Sequence, residues 1–240
     1  MTKMTIQESI MSSIQELFQG YTLISISGKA GTGKTSMSLF LIGKFLTSIQ
    51  PYEGSCIWVQ ASELFSKKRL QSLFERDNDQ LTYLNQNFFV TPGYGPFTSY
   101  DVQLQGLKRL SEDSYFLPPD VKFMVIDNIS HHLRYKLSRI ADPEMRSKII
   151  NEFYDTILTP LMFRCHRDGI KLVLIHEVSF DVATQQTRPF FSKLYERIRG
   201  VHMILSQSFD TKQRVLKVGF NESHYSIKFQ LADNGFNFSK

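Results

Sequence analysis

The chain has 240 residues, 42% of them hydrophobic and 21% charged, and carries a formal net charge of +5. Such a length buries one sizeable core and suits a single α/β domain, with no linker-like or low-complexity stretch to divide it. The apolar runs are strand-sized, which excludes a membrane-spanning helix, and the modest positive charge permits a polyanionic partner without requiring one.

Ile6, Ile10, Ile14 and Leu17 recur at helical spacing, so a short amphipathic helix is expected within residues 1–20, with the core over 21–240. Gln, Glu and Ser interrupt this opening segment, unlike the solid apolar block of a signal peptide, and the protein is expected in the cytoplasm, or in the nucleus if eukaryotic. Leu23 to Ser27 reads as a strand, a Gly-rich loop follows at once, and Met37 to Leu46 continues as a helix that ends before Pro51. Cys56 to Gln60 is the second strand, and a basic helix follows around Lys67 to Glu75. Asn87 to Val90 is the third strand, Thr91 to Thr98 is a turn-rich loop, and Asp101 to Ser111 is helical. Phe123 to Ile126 is wholly apolar, as befits a central strand of a parallel sheet. Glu144 to Arg167 reads as one long helix, kinked near Pro160, and Leu172 to Ile175 is the fifth strand. Val201 to Leu205, Val215 to Val218 and Tyr225 to Gln230 then alternate like an antiparallel meander. Strand and helix alternate first and hairpins come last, which predicts a doubly wound, mostly parallel sheet with antiparallel C-terminal strands. Cys56 and Cys165, far apart and outside any C-x-x-C pair, read as buried thiols in a reducing compartment.

Gly28-Lys29-Ala30-Gly31-Thr32-Gly33-Lys34-Thr35 matches G-x-x-x-x-G-K-[ST] between a strand and a helix. Its glycines let the backbone curl until successive N–H groups point inward at phosphate oxygens, helped by the N-terminus of the next helix. The motif predicts ATP and Mg²⁺ as cofactors. Gly28 to Ser36 form the cradle, Lys34 lies between the β- and γ-phosphates, and the Thr35 hydroxyl ligates the metal. A P-loop also needs an acid at the end of a neighbouring strand to order the metal's water shell. Asp127, directly after Phe123-Met124-Val125-Ile126, stands in that position, although an ordinary helix-capping Asp would look the same.

Further segments carry a family likeness: Gln15-Glu16-Leu17-Phe18 ahead of the loop, and Trp58-Val59-Gln60-Ala61-Ser62-Glu63-Leu64-Phe65 with Lys68-Arg69-Leu70 after the second strand. Asp127-Asn128 followed by Arg134 and Arg146, and the close from Ser226 to Leu231 with Gly235-Phe236, belong to the same pattern. From about Leu17 to Phe236 the chain resembles the RecA/RadA recombinase superfamily, in particular its short archaeal RadB-like proteins and the eukaryotic recombinase paralogs. The resemblance implies a RecA-like P-loop NTPase core in which the fifth strand lies between the P-loop strand and the Asp127 strand, bringing Glu177 near the γ-phosphate. It also implies an accessory factor of homologous recombination and DNA repair, with single-stranded DNA and a recombinase or paralog protein as partners.

The departures from that family shape the expected chemistry. Aligned on Phe65 and Arg69, the family's water-activating Glu falls on Ser62, with Glu63 one residue along. A strand neighbour points to the opposite face, so Glu63 can substitute only if the strand has already ended. The family's Asn-Gln after the fifth strand reads His176-Glu177, and its Asp-x-Pro reads Phe220-Asn221-Glu222. No N-terminal DNA-binding domain or filament-linking segment is expected ahead of the core. These differences predict a weak, DNA-dependent ATPase in which Lys34 contacts phosphate and Glu63 or Glu177 is the candidate base. Two alternatives stand beside it: an ATP-clamped adapter for a protein partner, and a RecA-like signalling ATPase with no DNA role.

For DNA contact the candidates are Arg134, Arg139, Arg188, Phe190 and Lys193. Basic residues after Asp127 fall where the family places its first DNA-binding loop and would neutralise phosphates, or else form a solvated helix face. Ser179 to Lys193 falls where the second loop lies, and Phe190 and Phe191 either stack on bases or dock into the core or a partner. His131-His132 lacks a Cys or carboxylate cluster at ligand spacing and reads as a pair of surface histidines. Tyr94 and Phe97 read as members of a packed loop, with stacking on adenine or a neighbouring protein as the alternative.

Overall fold

Strands covered on both faces must be apolar almost throughout, and such segments fill the middle of the sheet. The computed structural model describes residues 6–181, 186–190, 199–207, 213–220 and 223–239. Parallel strands β1 (Leu23–Gly28), β2 (Ser55–Gln60), β3 (Phe88–Thr91), β4 (Val121–Asp127) and β5 (Lys171–His176) pair in the order β1-β5-β4-β2-β3. As the resemblance implied, β5 lies between the strand before the Gly-rich loop and the strand that ends at Asp127. After β5 come β6 (Val178–Asp181) and β7 (Gln186–Pro189), a separate antiparallel hairpin. Next, β8 (Val201–Gln207) pairs parallel with β1. The sheet closes with β9 (Arg214–Phe220), β10 (Ser223–Ala232) and β11 (Gly235–Ser239), each antiparallel to its predecessor.

Alternation along the strands divides the core in two. Ile24, Ile26, Val125 and Ile175 face one cluster, packed under helices α1 (Ile6–Gly20), α2 (Lys34–Leu46), α3 (Lys67–Phe74) and α4 (Asn78–Asn87). Ile14 and Phe18 of α1 are buried there, so the opening helix is part of the core's packing. Leu23, Ile126, Leu172 and Leu174 face the other cluster, under α5 (Tyr100–Ser111), α6 (His131–Ser138), α7 (Pro143–Phe153) and α8 (Thr159–Arg167). Cys56 and Cys165 are free and buried, and burial pushes the Cys165 thiol up to about 12. Among the described residues, no helix is long and apolar enough to cross a membrane.

Residues 143–167 are helical throughout, in keeping with the long helix expected over 144–167, and a π-helical turn, Tyr154–Leu158, joins α7 to α8 just ahead of Pro160. Pro160 explains it, because the ring clashes with the carbonyl four residues back and has no N–H to continue the ladder. A helix, α4, precedes β3, so that strand begins at Phe88 rather than Asn87; Asp77 caps it by accepting the Gln80 N–H at 3.0 Å. The region after Asp127, read either as a DNA-binding loop or as a solvated helix face, contains α6, which buries Leu133 and Leu137 at i, i+4 spacing. The segment expected as a second loop begins with the β6–β7 hairpin. Phe191, Lys193, Asn221 and Glu222 lie outside the described residues.

Candidate functional site

The Gly-rich loop is shaped by close approach. A Cβ on Gly28 would lie 2.6 Å from both the Leu205 carbonyl oxygen and Thr32 Oγ1, so only glycine lets β1 hand over to the loop beside β8. Gly33 has φ +96°, a left-handed conformation that favours glycine, directly ahead of α2. Thr32 Oγ1 donates to the Lys29 carbonyl at 2.8 Å and Lys34 Nζ donates to the same oxygen at 3.0 Å, which ties the loop across its base. Burial holds the Lys34 ammonium below its ordinary range, opposed by the charges of Asp127 and Glu63. Such an ammonium gains from an anion brought against it.

Asp127 ends β4 beside this loop, and Thr35 Oγ1 donates to its Oδ2 at 2.9 Å across 92 positions of sequence. Burial raises the Asp127 carboxyl to about 6; the Thr35 hydrogen bond and Lys34 pull the other way, while Glu63 adds to the rise. A hydroxyl and a carboxylate brought together at the start of α2 form the donor set that a hard, oxygen-seeking cation such as Mg²⁺ takes, with Lys34 alongside for phosphate. The residues present therefore fit an ATP–Mg²⁺ pair.

The acidic turn is fixed from several directions. Buried Gln103 of α5 donates its side-chain N–H to the Ile129 carbonyl at 3.0 Å, and the Ile129 N–H donates to the Ile175 carbonyl at 3.0 Å. Asn128 Oδ1 accepts from the Ser130 N–H at 3.0 Å and from Ser130 Oγ at 2.8 Å. The Asp127 carbonyl accepts the N–H groups of Ala61, at 2.6 Å, and Ser62, at 3.1 Å. That docking ends β2 at Gln60, so Ser62 and Glu63 stand on a loop and strand alternation no longer separates them. Ser62 Oγ accepts the Asn128 N–H at 3.4 Å, whereas exposed Glu63 acts electrostatically on both Lys34 and Asp127.

His176 and Glu177, at the end of β5, part company. His176 is fully buried, bonded to Ser25 Oγ at 2.7 Å, and burial drives its imidazole down to about 3. Glu177, expected near the γ-phosphate, pairs its carboxylate with Arg134 of α6. Phe190 is half-buried against the second core cluster, and the Arg134 guanidinium lies 5.3 Å from its ring centre. Arg139 is exposed at the end of α6 and stacks on Tyr135 at 4.1 Å, while Arg188 stands in β7 opposite Ser179. The structure thus brings together Arg134, Glu177 and Phe190. His132 is hydrogen-bonded to the Phe97 carbonyl at 2.8 Å; Phe97 is buried and Tyr94 exposed.

Two arginines at the loop had no assigned role in the sequence. Arg69 donates from Nε to Ser36 Oγ at 3.0 Å and from Nη2 to the Ala232 carbonyl at 3.0 Å, joining the start of α2 to the β10–β11 turn. Arg214 reaches the Gly31 carbonyl at 3.4 Å from 183 positions away, and its buried Nε has no hydrogen-bond partner among the described residues. No local motif could have signalled Arg214, because it meets the loop only through sheet order.

No family model matches the sequence, and no curated protein matches it. Among solved structures, the crystal structure of the RadB recombinase aligns with a TM-score of 0.68 and 21% sequence identity. The alignment covers 93% of this chain and 95% of that one. At this identity the likeness establishes the fold: a RecA-like α/β core with a mostly parallel sheet and antiparallel C-terminal strands.

Proposed function

We propose that this chain is an ATP-binding accessory protein of homologous recombination and DNA repair, with a weak ATPase that single-stranded DNA stimulates. The observation that carries the nucleotide reading is the 2.9 Å contact of Thr35 with Asp127 beside half-buried Lys34, at the end of a glycine-shaped loop. When bound, ATP would supply the transferable γ-phosphoryl group and Mg²⁺ a positive charge that offsets its phosphates. Residues 28–36 would hold the phosphates, Lys34 would supply a positive charge to them, and Thr35 with Asp127 would position the metal. Glu63 is the better placed candidate base of the two named from sequence, because Glu177 is paired with Arg134. An exposed base is poorly held for water activation, which supports slow turnover. The fold shared with a recombinase, together with the basic residues of α6 and β7, supports the DNA side of the reading.

A second reading is an ATP-clamped adapter for a protein partner, and the occupied Ser62 hydroxyl at the family's Glu position favours it. Steady-state ATP turnover, measured alone, with single-stranded DNA and with a co-purified recombinase, separates the two. Slow basal turnover that rises with single-stranded DNA supports the accessory ATPase. Tight ATP binding with no turnover under any condition supports the adapter.

A further inference from the structure

Leu23 opens β1 and the Gly-rich loop follows its other end, so a whole strand separates that loop from a pocket at Leu23. The pocket measures about 840 Å³. Small-molecule sites occupy roughly 300–1,000 Å³. Leu23, Met162 and Phe163 give it apolar walls, and Arg199 and His166 line it with them. A Cβ on Gly200 would lie 2.9 Å from the Leu23 carbonyl oxygen, so glycine there lets the entry to β8 close on β1 and carries Arg199 to the pocket. From the other side, the π-helical turn Tyr154–Leu158 runs into Thr159, and Tyr154 and Thr159 both line the pocket. Such turns within α-helices recur at functional sites.

Charge at this pocket is of one sign. Among the described residues no carboxylate lines it, and neither Arg199 nor His166 is in an ion pair. Elsewhere on α8 the pattern differs, because Arg164 and Arg167 are both held by Asp168. An unpaired guanidinium beside apolar walls suits an anion with an apolar body: its planar fork takes both oxygens of a carboxylate while the walls bury the rest. His166 adds an imidazole N–H. The Thr159 hydroxyl is shut off from solvent and has no hydrogen-bond partner among the described residues. A helical threonine divides between two rotamers, so this hydroxyl can turn to a bound oxygen. We propose that this pocket binds a small organic anion, a medium-chain or aromatic carboxylate, with its charge on Arg199 and its apolar body against Met162 and Phe163. The site is independent of the nucleotide and DNA readings.

The test uses the full chain, isotope-labelled at its methionine methyl groups, and follows the Met162 signal by NMR, identified through Met162→Leu. Octanoate is the probe, and octanamide is its neutral counterpart of nearly the same shape. Octanoate is expected to shift the Met162 signal saturably, and octanamide to bind roughly two- to fivefold more weakly, the scale of a partly exposed ion pair. Arg199→Gln, a change at an exposed side chain, should lose the same factor for octanoate and bind the amide as wild type does. A Met162 signal unmoved at millimolar octanoate overturns the proposal, as does equal binding of acid and amide or indifference to Arg199→Gln. A shift that ATP with Mg²⁺ abolishes would put the anion in the phosphate loop and overturn it as well.

Discussion

At the scale of single residues, the site stores an electrostatic cost in Asp127. Its ordinary value is 3.8, and burial raises it to about 6, so between those values the folded chain holds more protons than the unfolded one. The sign follows: this group favours the folded state on the acid side, and that favour is lost as pH rises through about 6. Asp127→Asn is therefore expected to stabilise the nucleotide- and magnesium-free protein at pH 7, by about 1–3 kcal/mol. The gain should vanish near pH 4, where the wild-type carboxyl is protonated as well. Thermal melts of both proteins across pH 4–8 check this, and a variant no more stable at pH 7 would contradict it. Glu63 and Ser62 supply the second residue-scale prediction. Glu63→Gln should lower ATP turnover by about 10²-fold or more if Glu63 is the base. Ser62→Glu should raise turnover if the family's position matters instead, and single-turnover kinetics on both variants decide between them.

At the scale of elements, Phe190 at the end of the hairpin β6–β7 ties it to the rest of the molecule through its half-buried ring and its stack on Arg134. Removing the ring loses a cation–π contact of about 0.5–1 kcal/mol as well as apolar packing. Phe190→Ala should accelerate amide hydrogen exchange across Val178–Asp181 and Gln186–Arg188 by roughly two- to fivefold, with α2 unchanged. Equal protection in the two proteins would mean that the hairpin is held by other means. The elements that were legible beforehand are those with strong periodicity, such as β4 with its apolar run and α2 with its buried stripe. Polar α4 buries only Leu84, and short, basic α6 gains its helical form from Leu133 and Leu137 pressed onto the sheet. Such helices are stabilised by tertiary packing, which local pattern does not display.

At the scale of the molecule, strand order assembles the site from distant parts of the chain. Residues 28–35 are contiguous and declare themselves, and Asp127 follows an apolar strand, so both could be found by eye. Arg69, Arg214, Ser62 and Ser130 meet them only because β1, β5, β4 and β2 stand side by side with β8 and β9 beyond. The parting of His176 from Glu177 was equally hidden, since it depends on where β5 ends and which helix lies over it. The central claim is that this assembled site binds ATP with Mg²⁺, and a calorimetric titration of ATP into wild type and Lys34→Ala, with and without Mg²⁺, tests it most directly. The account predicts magnesium-strengthened binding to wild type, and a loss of roughly 10- to 150-fold in the folded variant, equivalent to about 1.5–3 kcal/mol for one charge-assisted phosphate contact. A wild type that takes up no ATP, or a folded Lys34→Ala that binds it just as tightly, would contradict the account.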